Sequence, residues 1–562
     1  MKMTFSLCSR KDAMIGVRGL ALCLALVILT AGVAAQTPEW QWAVKAGGAS
    51  VDYGESIAVD GAGNQYVTGS YQGTASFGPH TLSSNGSRDL FAAKLDPAGN
   101  WLWATGAGGE FNDVGSAIDL DTSGNIYLTG MIEGSAVFGA LTLHSSGLND
   151  VFAAKLDPAG NWLWAVRAGG TWYDNGNDLA LDDFGNAYLT GQFEDSATFG
   201  AITLTSASSG ESDIFAAKLD PEGNWFWAIR AGGTDSDSGR GIAIDESGNA
   251  WLTGHFMGSA AFGALTLNSS GYEDVFAAKL DSNGNWLWAV RAGGVYWDYG
   301  NGIALDDSGN AYLTGQFAGS ASFGANTLSS NGQDEIFAAK LGPDGNWLWA
   351  AGAGGMYYDI GRDIAIDGEG NSYLTGYFYS SAAFGALTLN ASGSREIFAA
   401  SLDPDGNWLW AVQAGGVNYD SGVGIAVDGA GNTWLTGWFF HYGDFGAITL
   451  NASGSEDIYV AKLGSGSPVD DPQTPPAPPI TLSVYPNPLY GWETATFKAD
   501  LAEGECGTLR IVNLRGQCVA RHQLSSGENH ISLDSRELAA GIYLCELKTR
   551  NAWISKKLVL LK

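Results

Sequence analysis

Short apolar runs, each closed off by Gly, Asp, Asn or Ser, fill most of this chain and recur in a set order. From Trp286 the order is Trp286-Leu287-Trp288-Ala289-Val290, Gly293-Gly294, Ile303-Ala304-Leu305-Asp306, Asn310-Ala311-Tyr312-Leu313-Thr314-Gly315, Phe323-Gly324 with Thr327-Leu328, and Glu335-Ile336-Phe337-Ala338-Ala339-Lys340-Leu341. The runs are four to eight residues long and rich in aromatic and β-branched types. That pattern predicts strands, and none of the runs is long enough for a helix.

The leading Trp of this unit returns at Trp40, Trp101, Trp162, Trp225, Trp286, Trp347 and Trp408, in steps of 61, 61, 63, 61, 61 and 61 residues, so the unit occurs seven times. A repeat of about four strands at this period points to a propeller blade, a sheet that can bury its two faces only against neighbours. The phase of the repeat decides between an open solenoid and a closed ring, because a solenoid would carry atypical capping repeats at both ends. Here the first copy begins inside the unit at Trp40, and the last stops after Asp457-Ile458-Tyr459-Val460-Ala461-Lys462-Leu463. The strand from Trp40 to Ala46 is the piece that the last copy lacks. The expected fold is therefore all-β: a seven-bladed β-propeller of four-stranded blades over residues 36–464, with the N-terminal strand closing the last blade.

Within a blade the small Ile-Ala-Leu-Asp run suits the crowded axis and the bulky Trp run the wide periphery. Alternation along a strand places Trp162 and Trp164 on one face and Leu163 on the other. Packing between blades is the expected use of these Trp residues: burying one removes roughly 200 Å² from water, about 5 kcal/mol gross. Leaving them exposed as a sugar platform would create large sticky patches. Asp306-Asp307-Ser308-Gly309-Asn310 and Asp403-Pro404-Asp405-Gly406-Asn407 read as turns, since Asp and Asn bond their own backbone and Gly supplies positive φ. Calcium is the one cofactor such turns suggest. Most copies, such as Asp121-Thr122-Ser123-Gly124-Asn125, offer a single carboxylate where a calcium loop wants several, so no cofactor is expected.

These motifs resemble the β-propeller repeats labelled SBBP: Gly-Ile-Ala-(Val/Leu)-Asp, Gly-Asn-x-Tyr-(Val/Leu)-Thr-Gly, Asp-x-Phe-x-Ala-Lys-Leu-Asp and Gly-x-x-Trp, over roughly residues 40–464. The resemblance implies a fold and little chemistry, because propellers carry many functions.

Charge narrows the partners. The chain has a net charge of −31, and residues 36–464 hold 14 Lys+Arg against 48 Asp+Glu, a net of −34. Such a ring repels phosphate backbones and anionic membrane surfaces, which argues against nucleic acid. Residues 1–35 read as a secretory leader: Lys2, Arg10, Lys11 and Arg18 precede an apolar stretch from Gly19 to Ala31, and Val33-Ala34-Ala35 suits cleavage before Gln36. The apolar stretch is short for a membrane span, and no other appears, so no transmembrane segment is expected in the mature chain. Residues 465–479 form a Gly/Ser then Pro-rich linker.

Residues 480–562 predict a small antiparallel β-sandwich-like domain, with runs such as Thr508-Leu509-Arg510-Ile511-Val512 separated by turns at Gly516, Gly527 and Gly541. This part resembles the C-terminal sorting domain of type IX secretion found on exported proteins of the Bacteroidetes. Val484-Tyr485-Pro486-Asn487-Pro488, Leu514-Arg515-Gly516, Leu538-Ala539-Ala540-Gly541-Ile542-Tyr543 and the ending Lys556-Lys557-Leu558-Val559-Leu560-Leu561-Lys562 carry the likeness. It implies recognition of residues 480–562 by the type IX machinery, and a secreted or outer-surface protein. Cys506, Cys518 and Cys545 all lie in this domain, where three thiols allow one disulfide and require none.

The variable segment after each Gly-Gly pair holds an Asp in every copy: Asp52, Asp113, Asp174, Asp237, Asp298, Asp359 and Asp420. Aromatic residues gather beside it, namely Trp172, Tyr173, Tyr296, Trp297, Tyr357, Tyr358 and Tyr419. Long segments after the Thr-Gly pairs share that face and carry Gln192, His255, Gln316, Tyr377 and Trp438. Rings that stack beside groups that orient are what a sugar or peptide site uses. The competing reading is that the Asp caps its own loop. Catalysis has little support: His80, His144, His255 and His441 show no metal-ligand spacing, and residues 36–464 hold no Cys, phosphate-cradling loop or nucleophile elbow. The expected function is a non-enzymatic, secreted or surface-displayed monomer that binds a glycan or protein through this loop face. An extracellular polysaccharide hydrolase or lyase, and a structural surface or adhesin component, are the alternatives.

Overall fold

Each repeat folds into four antiparallel strands joined by tight turns. The computed structural model describes residues 37–429, 431–464, 481–485, 489–490, 494–501, 507–513, 518–534, 540–549 and 553–561. They fall into two compact units divided after Gly466. The leader expected at 1–35, the linker expected at 465–479 and Cys506 lie outside the described residues.

The first strand, β1 (Glu39–Gly48), precedes blade 1, which is built from β2 (Asp52–Val59), β3 (Gln65–Phe77), β4 (His80–Leu95) and β5 (Trp101–Ala107). Those four pair in chain order, with β2 innermost and β5 outermost. Among the described residues this arrangement occurs seven times, and the seventh blade has β1 as its outer strand. There β1 runs antiparallel to Ile448–Gly464, with Trp40 opposite Leu463, Val44 opposite Val460 and Ala46 opposite Ile458.

Seven apolar clusters lie between adjacent blades. The one that joins the chain's two ends contains Ala46, Trp434, Ile458 and Val460 from the last blade, and Ile57, Val67, Phe77 and Trp101 from the first. No blade face is left unstacked, so the ring is closed by the same packing that holds every other pair of blades together.

Three register breaks shape the blades, except that in blade 3 the second is an interruption of the strands at Asp195. The first is in the inner strand, where Gly54 and Ser56 pair with Gly69 and Thr68, leaving Glu55 as an extra residue. The second is at Gly73, between Gln72 and Thr74, beyond which the β3–β4 hairpin continues and pairs with the end of the preceding outer strand, Gly47 opposite Ser76. The long segments after the Thr-Gly pairs are thus strands that latch neighbouring blades. In blade 5, for example, a 13-residue and a 16-residue strand run through the segment.

The third break corrects the reading of the Trp pairs. Trp101 pairs with Leu95 and Trp103 with Lys94, so Leu102 is bulged out between them. A bulge inserts one residue and shifts the alternation, which sends the two rings to opposite faces. Accordingly Trp101 packs in the cluster shared with blade 7 and Trp103 in the one shared with blade 2. The indole N–H groups span the same seams: Trp164 donates to the Pro221 carbonyl of the following blade at 2.9 Å, and Trp347 to the Arg291 carbonyl of the preceding blade at 3.2 Å. The bulged residue points to solvent, with Leu163 50% exposed.

The Gly of each Thr-Gly pair has a steric cause. A Cβ on Gly69 would stand 1.9 Å from the Tyr53 carbonyl oxygen of the inner strand, so no larger residue fits. The Thr beside it donates its hydroxyl across the sheet, from Thr68 to the Phe91 carbonyl at 2.7 Å.

The second unit has two sheets around one core. Thr481–Tyr485, Thr494–Leu501 and Gly527–Asp534 form one. Leu489–Tyr490, Trp553–Leu561, Gly541–Thr549, Gly507–Asn513 and Cys518–Leu524 form the other, in that order. Phe497 and Leu501 meet Leu509, Ile511, Leu547 and Leu558 between them. One pairing departs from the antiparallel expectation: Leu489–Tyr490 runs parallel to Leu560–Leu561. Cys545 is a free thiol in this core, pushed up to about 12 by burial.

Removing residues 39–48 strips the last blade of its outer strand and exposes its third strand as an edge. The expected loss is on the order of 5 kcal/mol, or about 5–10 °C in melting temperature, whereas deletion of 465–479 leaves the ring's transition in place. Calorimetry on the two deletions checks this, and equal transitions would contradict the closure.

Candidate functional site

The recurring Asp is a structural clamp. Asp52 accepts from the Gly48 backbone N–H at 2.7 Å and from the Gln72 N–H at 3.0 Å, tying the loop after the outer strand to β3. The same two bonds occur at Asp113, Asp174, Asp237, Asp298, Asp359 and Asp420. A second buried carboxylate stands near it. A Cβ on Gly47 would lie 2.6 Å from Asp457 Oδ1 and 2.9 Å from Asp52 Oδ2, so the two carboxylates flank the space a side chain would fill. Burial outweighs the N–H donors and pushes Asp52 up to about 7, and the nearby Asp457 adds to the rise. Asp113, Asp174, Asp237, Asp298 and Asp359 also rise to about 7, and Asp420 to about 6, with burial the largest cause in each.

The turn carboxylates go the other way. Asn100 donates its side-chain amide and its backbone N–H to Asp96, which holds that carboxyl below its ordinary value. Asp157 and Asp281 are held down in the same manner by Asn161 and Asn285. The turn reading of the Asp-x-x-Gly-Asn segments accounts for these bonds. Among the described residues no group of three or more His, Cys, Asp or Glu is placed to hold a metal ion.

Gln192, His255, Gln316, Tyr377 and Trp438 sit in second strands, each opposite the first or second residue of its inner strand, as with Tyr299 opposite Gln316. Gln316 joins Tyr296, Trp297 and Tyr358 around a groove of 790 Å³, completed by Tyr299, Asn331 and Asp334. Trp297 stacks on Tyr272, with ring centroids 4.6 Å apart at 17°. Gln316 donates to Asp334 at 2.9 Å.

Tyr377, Tyr419 and Trp438 gather instead around the Arg395 guanidinium, at 4.3, 5.7 and 4.7 Å. Tyr53 meets Trp438 edge-on at 5.5 Å. His255 packs edge-on against Tyr299 at 4.6 Å, and burial, helped by the Arg240 charge, pushes its imidazole down to about 3. Gln192 accepts from the Ser238 hydroxyl at 2.6 Å. Trp172, Tyr173 and Tyr357 are exposed and belong to neither group.

Pattern reading missed a third site. The inner-strand bulge residue is Glu55, Ser116, Asn177, Arg240, Asn301, Arg362 and Val423 in blades 1 to 7. All seven line one cavity of 230 Å³ where the inner strands converge, together with Ser56, Asp178, Gly302 and Asp363. A bulge re-aims a side chain, and here it turns one from every blade toward the axis. Burial pushes Glu55 up to about 7, although the Arg362 and Arg88 charges pull it back. Burial pushes Asp363 up to about 6 and Asp178 well above its ordinary value. The available signal was variety: this position changes from copy to copy between an invariant Gly and the Ile/Leu of the inner run.

Residues 163–192 and 288–316 match the beta-propeller repeat family SBBP, and residues 483–561 match the secretion system C-terminal sorting domain family. The chain is thus a propeller-repeat protein bearing a type IX sorting domain, which directs export to the cell surface or extracellular space. Among relatives, the uncharacterized WD repeat-containing protein L264 of Acanthamoeba polyphaga mimivirus is 24% identical over 71% of this chain. Regulatory protein FlaEY of Caulobacter vibrioides is 29% identical over 28% of it. The chain spans 36% of the first relative's length and 18% of the second's. A solved fungal alcohol oxidase is similar at 12% identity and a TM-score of 0.42, over 93% of this chain and 100% of that one.

The clamp carboxylates give the ring a pH signature. A folded value near 6–7, above the ordinary 3.8, means stability that is full below about pH 4 and lost as pH rises through 7. Turn carboxylates such as Asp96, held below 3.8, contribute above that value and lose their contribution under stronger acid. The melting temperature should therefore climb from about pH 8 to about pH 5 and fall again below about pH 4, with Asp52→Asn lessening the climb. A melting temperature that drops between pH 8 and 5 would refute the assignment.

Proposed function

We propose that this protein is a non-enzymatic, exported propeller that binds a glycan through the groove on blade 5. The observation that carries the reading is the composition of that groove: Tyr296, Trp297, Tyr299 and Tyr358 stand beside Gln316, Asn331, Gln333 and Asp334. Pyranose rings present apolar C–H faces that stack on aromatics, and their hydroxyls pair with planar amides and carboxylates. Trp297 and Tyr358 remain half-exposed, while the Trp residues of the repeat are used between blades. Stacking on Tyr272 fixes the plane of Trp297 before a ligand arrives, which lowers the ordering cost of binding.

Calorimetric titration against a panel of neutral and acidic polysaccharides tests this reading. At least one should bind without turnover, and Trp297→Ala should weaken it about tenfold or more with little change in melting temperature. Unaltered affinity in that variant, or hydrolysis that disappears on carboxylate substitution, would overturn the proposal.

A further inference from the structure

We infer that the axial cavity is a second site, distinct from the blade 5 groove, which takes a small monocarboxylate sugar such as a free hexuronic acid. The inference starts from two guanidiniums. Arg240 and Arg362 both line the cavity, and among the described residues neither has a hydrogen-bond or ion-pair partner. Arg362 has only the Tyr377 ring, 5.6 Å from its guanidinium carbon. In a ring with a net charge of −34, two cations that line one cavity without a bonded acid stand out. They also oppose each other, since the Arg362 charge and burial both weaken Arg240's hold on its proton.

Their placement is prearranged. The Asn177 amide donates to the Gly239 carbonyl at 2.7 Å, and the Asn301 amide to the Gly361 carbonyl at 2.8 Å. Each bond pins the residue immediately before an arginine to the preceding blade. Asp178 clips the chain just beyond Arg240, accepting from the Ile242 N–H at 2.8 Å, and Asp363, next to Arg362, accepts from the Ile425 N–H of the following blade at 2.9 Å. Burial pushes both carboxyls above their ordinary value, Asp178 well above it, so they offset the guanidiniums only in part. Bulges project both arginines inward from a rigid inner strand, so little ordering remains to be done on binding.

The chemistry of the lining selects the ligand. A guanidinium fork matches a planar carboxylate by two parallel hydrogen bonds. Glu55, Ser116 and the remaining amide capacity of Asn177 and Asn301 offer partners for hydroxyls around it. A dianion such as phosphate or sulfate would set two further negative charges beside Glu55, Asp178 and Asp363, whereas a monocarboxylate sets one. The volume of 230 Å³ is of the size a monosaccharide needs. Tyr299 lines the groove and packs against His255, and both residues feel the Arg240 charge.

Isothermal titration of the full chain with glucuronate and galacturonate, beside glucose, galactose and inorganic phosphate, tests the site. The uronates should bind, and the neutral sugars and phosphate should bind at least about tenfold more weakly. Arg240→Gln and Arg362→Gln should each cost about tenfold or more in uronate affinity, Arg362→Lys should recover part of it, and Trp297→Ala should leave it unchanged. Neither arginine holds a hydrogen bond or ion pair that its loss would break, so the variants are expected to melt with the parent, and calorimetry verifies that. Equal binding of neutral sugars, tighter binding of phosphate, no uronate binding, or arginine variants that bind like the parent would each overturn the inference. Loss of uronate binding in Trp297→Ala would place the ligand in the groove and overturn it as well.

Discussion

The pairing of β1 with the third strand of the last blade is the contact on which the ring depends. Every blade is a sheet with two apolar faces, and such a sheet is stable only when both are covered. Six of the seven interfaces form between consecutive repeats. The seventh brings Trp434, Ile458 and Val460 against Ile57, Val67 and Phe77, and Ala46 of β1 sits inside it. Because one blade is built from both ends of the ring, opening that interface means unzipping β1 from Ile458–Gly464 as well.

Bulges give this closed ring most of its detail. At the periphery, the extra Leu between two Trp residues lets one outer strand serve both neighbouring seams, with Trp101 toward one blade and Trp103 toward the other. Near the axis, the extra residue after the inner-strand Gly escapes the ladder and turns into the central cavity. A position freed from pairing is also freed from the packing that makes the repeats alike. That is why the axis collects Glu, Ser, Asn, Arg and Val where neighbouring positions repeat Gly and Ile.

The ring's carboxylates divide by role in the same way. Those in the Asp-x-x-Gly-Asn turns are surrounded by amide donors and keep their charge into acid, as Asp96 does with Asn100. Those in the clamps lie deeper, in pairs, and burial outweighs the two N–H groups each receives, as at Asp52. An acidic composition of this kind is therefore partly internal architecture and not simply a solubilising coat. The sorting domain, with its own core and its free Cys545, is a separate unit and supplies the export address.

The strands, their order within a blade, the closing role of Trp40 to Ala46, the turn chemistry of Asp306 and its counterparts, and the sorting motifs could all be read along the chain. Each is written in residue type at short range, and the strands and turns are repeated seven times. Candidate rim residues were legible as types and not as a group: Tyr296, Trp297, Gln316 and Tyr358 meet in one groove, Tyr377, Tyr419 and Trp438 around Arg395, and Trp172, Tyr173 and Tyr357 in neither. Reading Trp162 and Trp164 onto one face went wrong because alternation assumes an unbroken register, and a bulge between them costs nothing that composition records. Tertiary closure alone decided that Glu55, Arg240 and Arg362 share a cavity, since residues more than a hundred positions apart become neighbours only when seven inner strands converge on one axis.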